Sequence, residues 1–197
     1  MILLLLAAVM LLSLPACGRK PAPRTSTVYH QDGSKLTVVE DENGRMTNQQ
    51  VERPDGSKTS LTYHEDGSYT ELNEYPDGST VQHIYRADGT HTETVTAADG
   101  SVVQHEFDEN GNRISEVCTA PDGSTIQHIY RMDGAYTEIV TAADGSVMQH
   151  EFDENGNQIS EIYTAPDGSV IQHEFDENGN QISEKYYDPD GNLINNG

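Results

Sequence analysis

The chain has 197 residues, 33 acidic against 11 basic side chains, a formal net charge of -22, 34% hydrophobic residues and no tryptophan. That balance argues against nucleic acid as a partner, because phosphate backbones are bound by clustered Lys and Arg, and it leaves little apolar material for a large globular core. Its remaining polarity is rich in Thr, Ser, Gln and Asn, which suit exposed strands and turns better than a disordered coil.

Residues 2–14 (ILLLLAAVMLLSL) form an uncharged apolar run, too short to span a bilayer and of the right length for the apolar part of a secretory leader. A leader helix is expected there. Leu14-Pro15-Ala16-Cys17 follows at once and resembles the bacterial lipobox, in which the cysteine becomes the lipid-modified N-terminus of the mature protein. The resemblance implies a lipoprotein signal peptide over 1–16 and acylation, palmitate included, at Cys17. It also implies a place in the bacterial cell envelope, lipid-anchored to the membrane on its periplasmic or surface side. Each buried methylene of such an anchor contributes about 0.8 kcal/mol, and two or more chains suffice for stable attachment. Residues 17–27 comprise this cysteine and a Pro-containing tether with three basic residues, suited to an anionic membrane surface. With Cys17 acylated only Cys118 remains, so the mature chain has no intramolecular disulfide.

Residues 28–197 read as one β-repeat domain. Asp-Gly or Asn-Gly recurs with its glycine at 33, 44, 56, 67, 78, 89, 100, 111, 123, 134, 145, 156, 168, 179 and 191, at spacings of 11 or 12 residues. A tight hairpin turn needs positive φ at glycine, and Asp or Asn before it bonds the local backbone. Pro54, Pro76, Pro121, Pro166 and Pro189 each stand directly before Asp-Gly, where a φ near -65° starts a type I turn. The segments between turns, such as Ser101–Phe107, have the period-2 pattern of half-buried strands. The fold class is therefore all-β: an antiparallel β-hairpin repeat array of 11–12 residues per strand-turn unit, forming an elongated, twisted or partly rolled meander after the leader helix. Residues 76–120 and 121–165 match at 36 of 45 positions, and 166–186 begin a third copy. Such periodicity implies a stacked array in which each unit buries its face against its neighbours.

The phrases Phe107-Asp-Glu-Asn-Gly-Asn, Phe152-Asp-Glu-Asn-Gly-Asn, Phe175-Asp-Glu-Asn-Gly-Asn and Tyr187-Asp-Pro-Asp-Gly-Asn-Leu-Ile resemble the YD repeat of the RHS family. The wider Tyr-x-x-Asp-Gly beat, as at Tyr63 and Tyr85, is similar to MORN-type repeats of bacterial antitoxin-like proteins. Both resemblances imply strand-and-turn arrays without a catalytic residue to transfer. Large RHS proteins form a shell around a cargo domain, for which this chain is too short.

If the residue two before each glycine pairs with the residue one after it, positions five after each glycine share a column. Down it run His83, Thr94, His105, Glu116, His128, Ile139, His150, Glu161, His173 and Glu184. Val81, Val103, Ile114, Ile126, Ile159, Ile171 and Ile182 would flank it on one side, with Tyr85, Phe107, Tyr130, Phe152, Tyr163, Phe175 and Tyr186 on the other. Imidazole next to carboxylate suits a divalent metal, so His83, His105, Glu116, His128, His150, Glu161, His173 and Glu184 are candidate ligands. The competing reading is a pH-sensitive seam of cross-strand pairs. Asp108, Asn110 and Asn112, repeated as Asp153, Asn155, Asn157 and Asp176, Asn178, Asn180, have the oxygen donors that open a calcium loop, but lack its Gly at the sixth position and Glu at the twelfth. Cys118 stands where Tyr163 stands in the next copy, a packing position.

No nucleophile elbow, phosphate-binding loop or clustered Cys/His signature is present, and residues that recur on every unit lack the asymmetry of one active site. The expected function is a non-enzymatic, cofactor-free structural or interaction module displayed from the envelope, binding a protein or glycan. Divalent-cation binding and an antitoxin-like or immunity role are the alternatives.

Overall fold

The computed structural model describes residues 22–196. The leader helix expected over 1–16 and the acylation site Cys17 lie outside the described residues. Sixteen strands follow in order. They are β1 (Arg24–Tyr29), β2 (Lys35–Glu40), β3 (Met46–Glu52), β4 (Lys58–Tyr63), β5 (Tyr69–Glu74), β6 (Thr80–Tyr85), β7 (His91–Thr96) and β8 (Val102–Phe107). The second half comprises β9 (Arg113–Thr119), β10 (Thr125–Tyr130), β11 (Tyr136–Thr141), β12 (Val147–Phe152), β13 (Gln158–Thr164), β14 (Val170–Phe175), β15 (Gln181–Tyr187) and β16 (Leu193–Asn196). All sixteen lie in one sheet in chain order, each antiparallel to the next, as the glycine rhythm predicts. Among the described residues the first and last strands do not pair, so the sheet is open. The first strand starts inside the segment read as tether, whose residues from Arg24 onward are extended and paired with β2.

Every connection uses the same turn. The glycine N–H donates to the carbonyl of the residue three before it at 2.9–3.2 Å, and that residue's N–H donates to the carbonyl of the residue after the glycine at 2.8–3.0 Å. All fifteen glycines have φ between 77° and 94°, and among the described residues no other residue type has positive φ. This is the three-residue hairpin loop, a type I turn closed by a left-handed glycine. The closing pair is therefore three before and one after the glycine, not two before and one after. A two-residue type I′ loop requires positive φ at both central residues, and the Asp or Asn before glycine does not adopt it.

Two cap chemistries follow. Where Asp precedes glycine and Ser or Thr follows it, the carboxylate accepts the backbone N–H and the hydroxyl of that next residue, as Asp99 does from Ser101 at 2.9 and 2.7 Å. In five turns an Asp stands three before the glycine instead. Asp153 accepts from Asn155 N, Asn157 N and Asn157 Nδ2 at 2.9, 2.8 and 3.0 Å, and Asp41, Asp108, Asp176 and Asp188 cap their turns in the same manner. Each of these five turns is followed by a β-bulge, at Thr47, Ile114, Ile159, Ile182 and Ile194. The first four open the seven-residue strands β3, β9, β13 and β15, which are also the four 12-residue spacings of the sequence. The extra residue is thus looped out beside the turn. Ile114, Ile159 and Ile182 are exposed bulge residues (40%, 38% and 64%) and do not form the apolar stripe expected of them.

Among the described residues no large side chain is fully buried, and Ala135 is the one buried apolar residue. The other buried residues are small and polar, including Thr59, Thr92 and Thr137. Each of these three accepts a hydrogen bond from an arginine six residues earlier, namely Arg53, Arg86 and Arg131, at 2.7–3.0 Å. Each strand contacts only its sequence neighbours. Stability is accordingly spread over cross-strand pairs and nearest-neighbour interfaces.

Deleting residues 76–120 joins Tyr75 to Pro121 and rebuilds the same Tyr-Pro-Asp-Gly-Ser turn. The register then places Glu71 opposite His128 and Tyr69 opposite Tyr130, as Glu71 and Tyr69 now oppose His83 and Tyr85. This shortened chain is expected to fold with an unchanged β-type circular dichroism spectrum per residue. A coil spectrum would contradict nearest-neighbour stabilisation.

Candidate functional site

The true register assembles a continuous ladder down the middle of one face. Glu71, His83, Glu93, His105, Glu116, His128, Glu138, His150, Glu161, His173 and Glu184 oppose one another on successive strands from β5 to β15. From His83 onward each imidazole and carboxylate touch. His83 Nε2 lies 3.5 Å from Glu93, and His105 lies 3.4 Å from Glu93 through Nδ1 and 3.0 Å from Glu116 through Nε2. His128 spans Glu116 and Glu138 at 3.7 and 3.0 Å, His150 spans Glu138 and Glu161 at 3.1 and 3.4 Å, and His173 spans Glu161 and Glu184 at 3.4 and 3.1 Å.

Three rungs escaped the sequence reading: Glu71 at the start of the ladder and, further along, Glu93 and Glu138. Thr94 and Ile139, placed there by the two-residue loop, instead oppose Gln82, Gln104, Gln127 and Gln149 on the other face. Two signals point to the correct rungs: Glu93 and Glu138 occupy the same place in the two 45-residue copies, and the proline before Asp-Gly favours a type I turn.

The flanking columns differ from expectation because alternate strands run in opposite directions. On one side stand Val81, Val95, Val103, Cys118, Ile126, Val140, Met148, Tyr163, Ile171 and Tyr186. Tyr163 and Tyr186 thus belong to this column and not to the aromatic one. On the other side rings stack from strand to strand, with centroids 4.5 Å apart for Tyr69 and Tyr85, 5.3 Å for Tyr85 and His91, 4.3 Å for His91 and Phe107, and 4.4 Å for Tyr136 and Phe152. Arg113 interrupts the rings, lying 4.8 Å over Tyr130 while its guanidinium bonds Glu116.

The electrostatics follow the pairing. Burial alone raises Glu138, but hydrogen bonds and charge from His128 and His150 outweigh it and hold the carboxyl below the ordinary range. The Tyr186 hydroxyl, 2.6 Å away, and His173 do the same for Glu184. Burial, then the neighbouring Glu116, pushes the Cys118 thiol up, away from the reactive thiolate.

The eight metal ligands expected from the sequence are brought into one column, but in line, the two ring nitrogens of His105, His128, His150 and His173 facing carboxylates of opposite neighbouring strands. Among the described residues no three His, Cys, Asp or Glu side chains form a set that could hold a metal ion. The calcium candidates are occupied within their own turns. Asp108 accepts from Asn110 N, Asn112 N and Asn112 Nδ2 at 2.9, 2.8 and 2.8 Å, and Asp176 accepts from Asn178 and Asn180 likewise. These carboxylates serve the turn.

Residues 22–194 match the family model of the teneurin YD-shell. No curated protein matches the chain.

Two outcomes test the register and the caps. Glu138→Ala removes two cross-strand contacts and is expected to cost roughly 0.4–2 kcal/mol in urea unfolding, at about 0.2–1 kcal/mol per pair, whereas Thr94→Ala leaves the ladder intact. Equal effects would contradict the register. Hydrogen bonds from the residue after the glycine hold turn aspartates such as Asp99, Asp108, Asp122 and Asp153 below their ordinary value. A depressed folded value contributes stability that is complete above the unfolded value of about 3.9 and is lost as pH falls through the folded one. The urea midpoint is therefore expected to drop below about pH 4, and a midpoint unchanged down to pH 2 would contradict these caps.

Proposed function

The chain belongs to the teneurin YD-shell family, and we propose that it is a repeat-built interaction module, displayed from a bacterial cell envelope by a lipid anchor at Cys17 of the lipobox-like Leu14-Pro15-Ala16-Cys17. The observation that carries this reading is the open, single-layer sheet. Its strands contact only their sequence neighbours, and nearly all their side chains on both faces stay partly accessible. Among the described residues such a surface offers a long docking area, in contrast to the enclosed cleft in which small substrates bind. A non-catalytic role also agrees with the repetition of every ladder residue, since a reaction centre needs one asymmetric constellation.

Of the two partner classes, a protein fits better than a glycan. The rings of the aromatic column cover one another's faces, with interplanar angles of 18° for Tyr69 and Tyr85, 4° for His91 and Phe107, and 11° for Tyr136 and Phe152. A sugar would meet ring edges instead of the flat platform on which it stacks. The Gln and Thr columns of the opposite face supply the adaptable hydrogen bonding of a protein-binding surface.

The anchor is tested by fractionation. The full chain is expected in the membrane fraction with an acylated Cys17 at the mature N-terminus by mass spectrometry, and Cys17→Ser is expected to release it. An unmodified Cys17, or a wild-type chain found wholly in the soluble fraction, rejects the anchored reading.

A further inference from the structure

We propose that the outer edge of β1 is a self-association surface, on which a second copy of the chain pairs through its own β1 about a two-fold axis at Thr27. The reasoning needs neither the lipid anchor nor the partner proposed above. Among the described residues β1 pairs only with β2, and all six of its residues, Arg24–Tyr29, are exposed, Tyr29 at 75% and Val28 at 39%. An edge strand presents unpaired N–H and C=O groups to any strand that can lie beside it, unless charges, prolines, bulges or short length prevent the approach.

The first turn fixes which groups are unpaired. The His30 N–H donates to the Ser34 carbonyl, and in an antiparallel pair alternate residues bond the same neighbour. Val28, Ser26 and Arg24 therefore bond β2, while Tyr29, Thr27 and Thr25 turn their backbone groups outward. A second β1, antiparallel and centred on Thr27, sets Thr27 against Thr27, Thr25 against Tyr29 and Tyr29 against Thr25. In all three pairs the two residues exchange both bonds, so the outward groups of both strands are satisfied together.

The side chains agree with this register. Thr27 continues the column of Gln82 through Leu72, Ser60, Gln50 and Thr37, so Thr25, Thr27 and Tyr29 share the Gln and Thr face. Each exposed Tyr29 ring then lies beside Thr25 of the second copy, and Val28 meets Ser26 on the ladder face. Aromatic, β-branched and Thr–Thr cross-strand pairs are among those that stabilise antiparallel sheets. A two-fold axis perpendicular to the sheet keeps the ladder faces of both copies on one side.

The opposite edge is built differently. The β16 strand has four residues and a bulge at Ile194, two of the devices that discourage edge pairing. Charge selects the same end of the array. Between Arg24 and Glu40 the basic Arg24 and Lys35 balance Asp32 and Glu40, whereas residues 181–196 carry Glu184, Asp188 and Asp190 against Lys185. In a chain of net charge -22, β1 and β2 are where two copies meet without like-charge repulsion. Pairing of β1 with β1 is isologous and closes at two copies, while β1 on β16 would be heterologous and run on as a fibre. One short strand from each copy buries less than about 1,200 Å², the range of weak and reversible association.

The test is cross-linking and sedimentation of the full chain in nonionic detergent. Opposed residues of an exchanged pair have Cα atoms about 5.5 Å apart, inside the disulfide range of about 4.4–6.8 Å. In a Cys118→Ser background, Thr27→Cys is expected to give a disulfide-linked dimer on mild oxidation, above the level of that background, and Asn195→Cys is expected to give none above it. Sedimentation of the wild type is expected to show a concentration-dependent monomer–dimer equilibrium. Thr27→Pro removes an N–H that β2 does not use, and is expected to abolish the dimer with an unchanged circular dichroism spectrum. Should proline disturb β1, Thr27→Lys keeps the backbone and sets like charges together at the axis, with the same loss of dimer expected. A wild type that stays monomeric at every concentration, cross-linking no greater at position 27 than at 195, or a dimer untouched by both Thr27 variants overturns the proposal.

Discussion

The array depends on one backbone constraint, a glycine held at positive φ as the last residue of a three-residue loop. Because the closing pair lies three before and one after that glycine, the loop fixes which residues of neighbouring strands oppose one another. In an antiparallel sheet a shift of one residue exchanges the two faces. The alternation of His and Glu therefore exists only in the register that this loop imposes. The same loop chemistry that turns the chain also selects which side chains meet at the centre of the sheet.

The bulges are the second half of this arrangement. A hairpin with an inserted residue would carry every later side chain to the wrong face, yet the four 12-residue spacings cause no such slip. In each case the surplus residue is an unpaired Thr47, Ile114, Ile159 or Ile182, placed between the turn and the middle of the strand. By the centre of the strand the phase is restored, so Glu116 meets His105 and His128, and Glu161 meets His150 and His173. An Asp three residues before the glycine accompanies every one of these turns, and it bonds the two backbone N–H groups on either side of the glycine. The insertion is thus confined to the loop end, where it enhances local twist and exposes one residue.

Much of this fold is legible in the sequence, because glycine at positive φ is a local requirement that leaves a local mark. Strand positions, hairpin connectivity and the antiparallel meander all follow from the spacing of Asp-Gly and Asn-Gly. Register is less legible, since both dipeptides serve two-residue and three-residue loops, and the choice between them moves Thr94 and Ile139 into the places of Glu93 and Glu138. The difference lies in the φ of the residue before glycine, which side-chain type alone does not decide. The bulges were hidden for a related reason. A 12-residue spacing says that one residue is surplus but not where it goes, so Ile114, Ile159 and Ile182 look like members of an apolar stripe until their partners are known. Five of the eight His and six of the acidic residues lie in one column, a placement that depends on pairings between strands and that composition cannot display.

A sheet with so little buried apolar surface has to be held by repeated lateral contacts, and that requirement limits how the array can grow. The ladder alternates with a period of two strands, and strand direction reverses with the same period. A duplicated block with an odd number of strands would set His against His, or carboxylate against carboxylate, at its new junction, and would move every following turn to the opposite edge. The 45-residue copy spans four strands, β6–β9 repeated as β10–β13, and the partial copy adds β14 and β15, which match β12 and β13 in sequence. Both additions are even. Each also carries its own bulged turn, with Asp153 and Asp176 repeating the role of Asp108, so the phase correction is duplicated together with the insertion that needs it. Extension by whole hairpins therefore lengthens the ladder without changing its chemistry, and the charge alternation itself restricts growth to blocks of that kind.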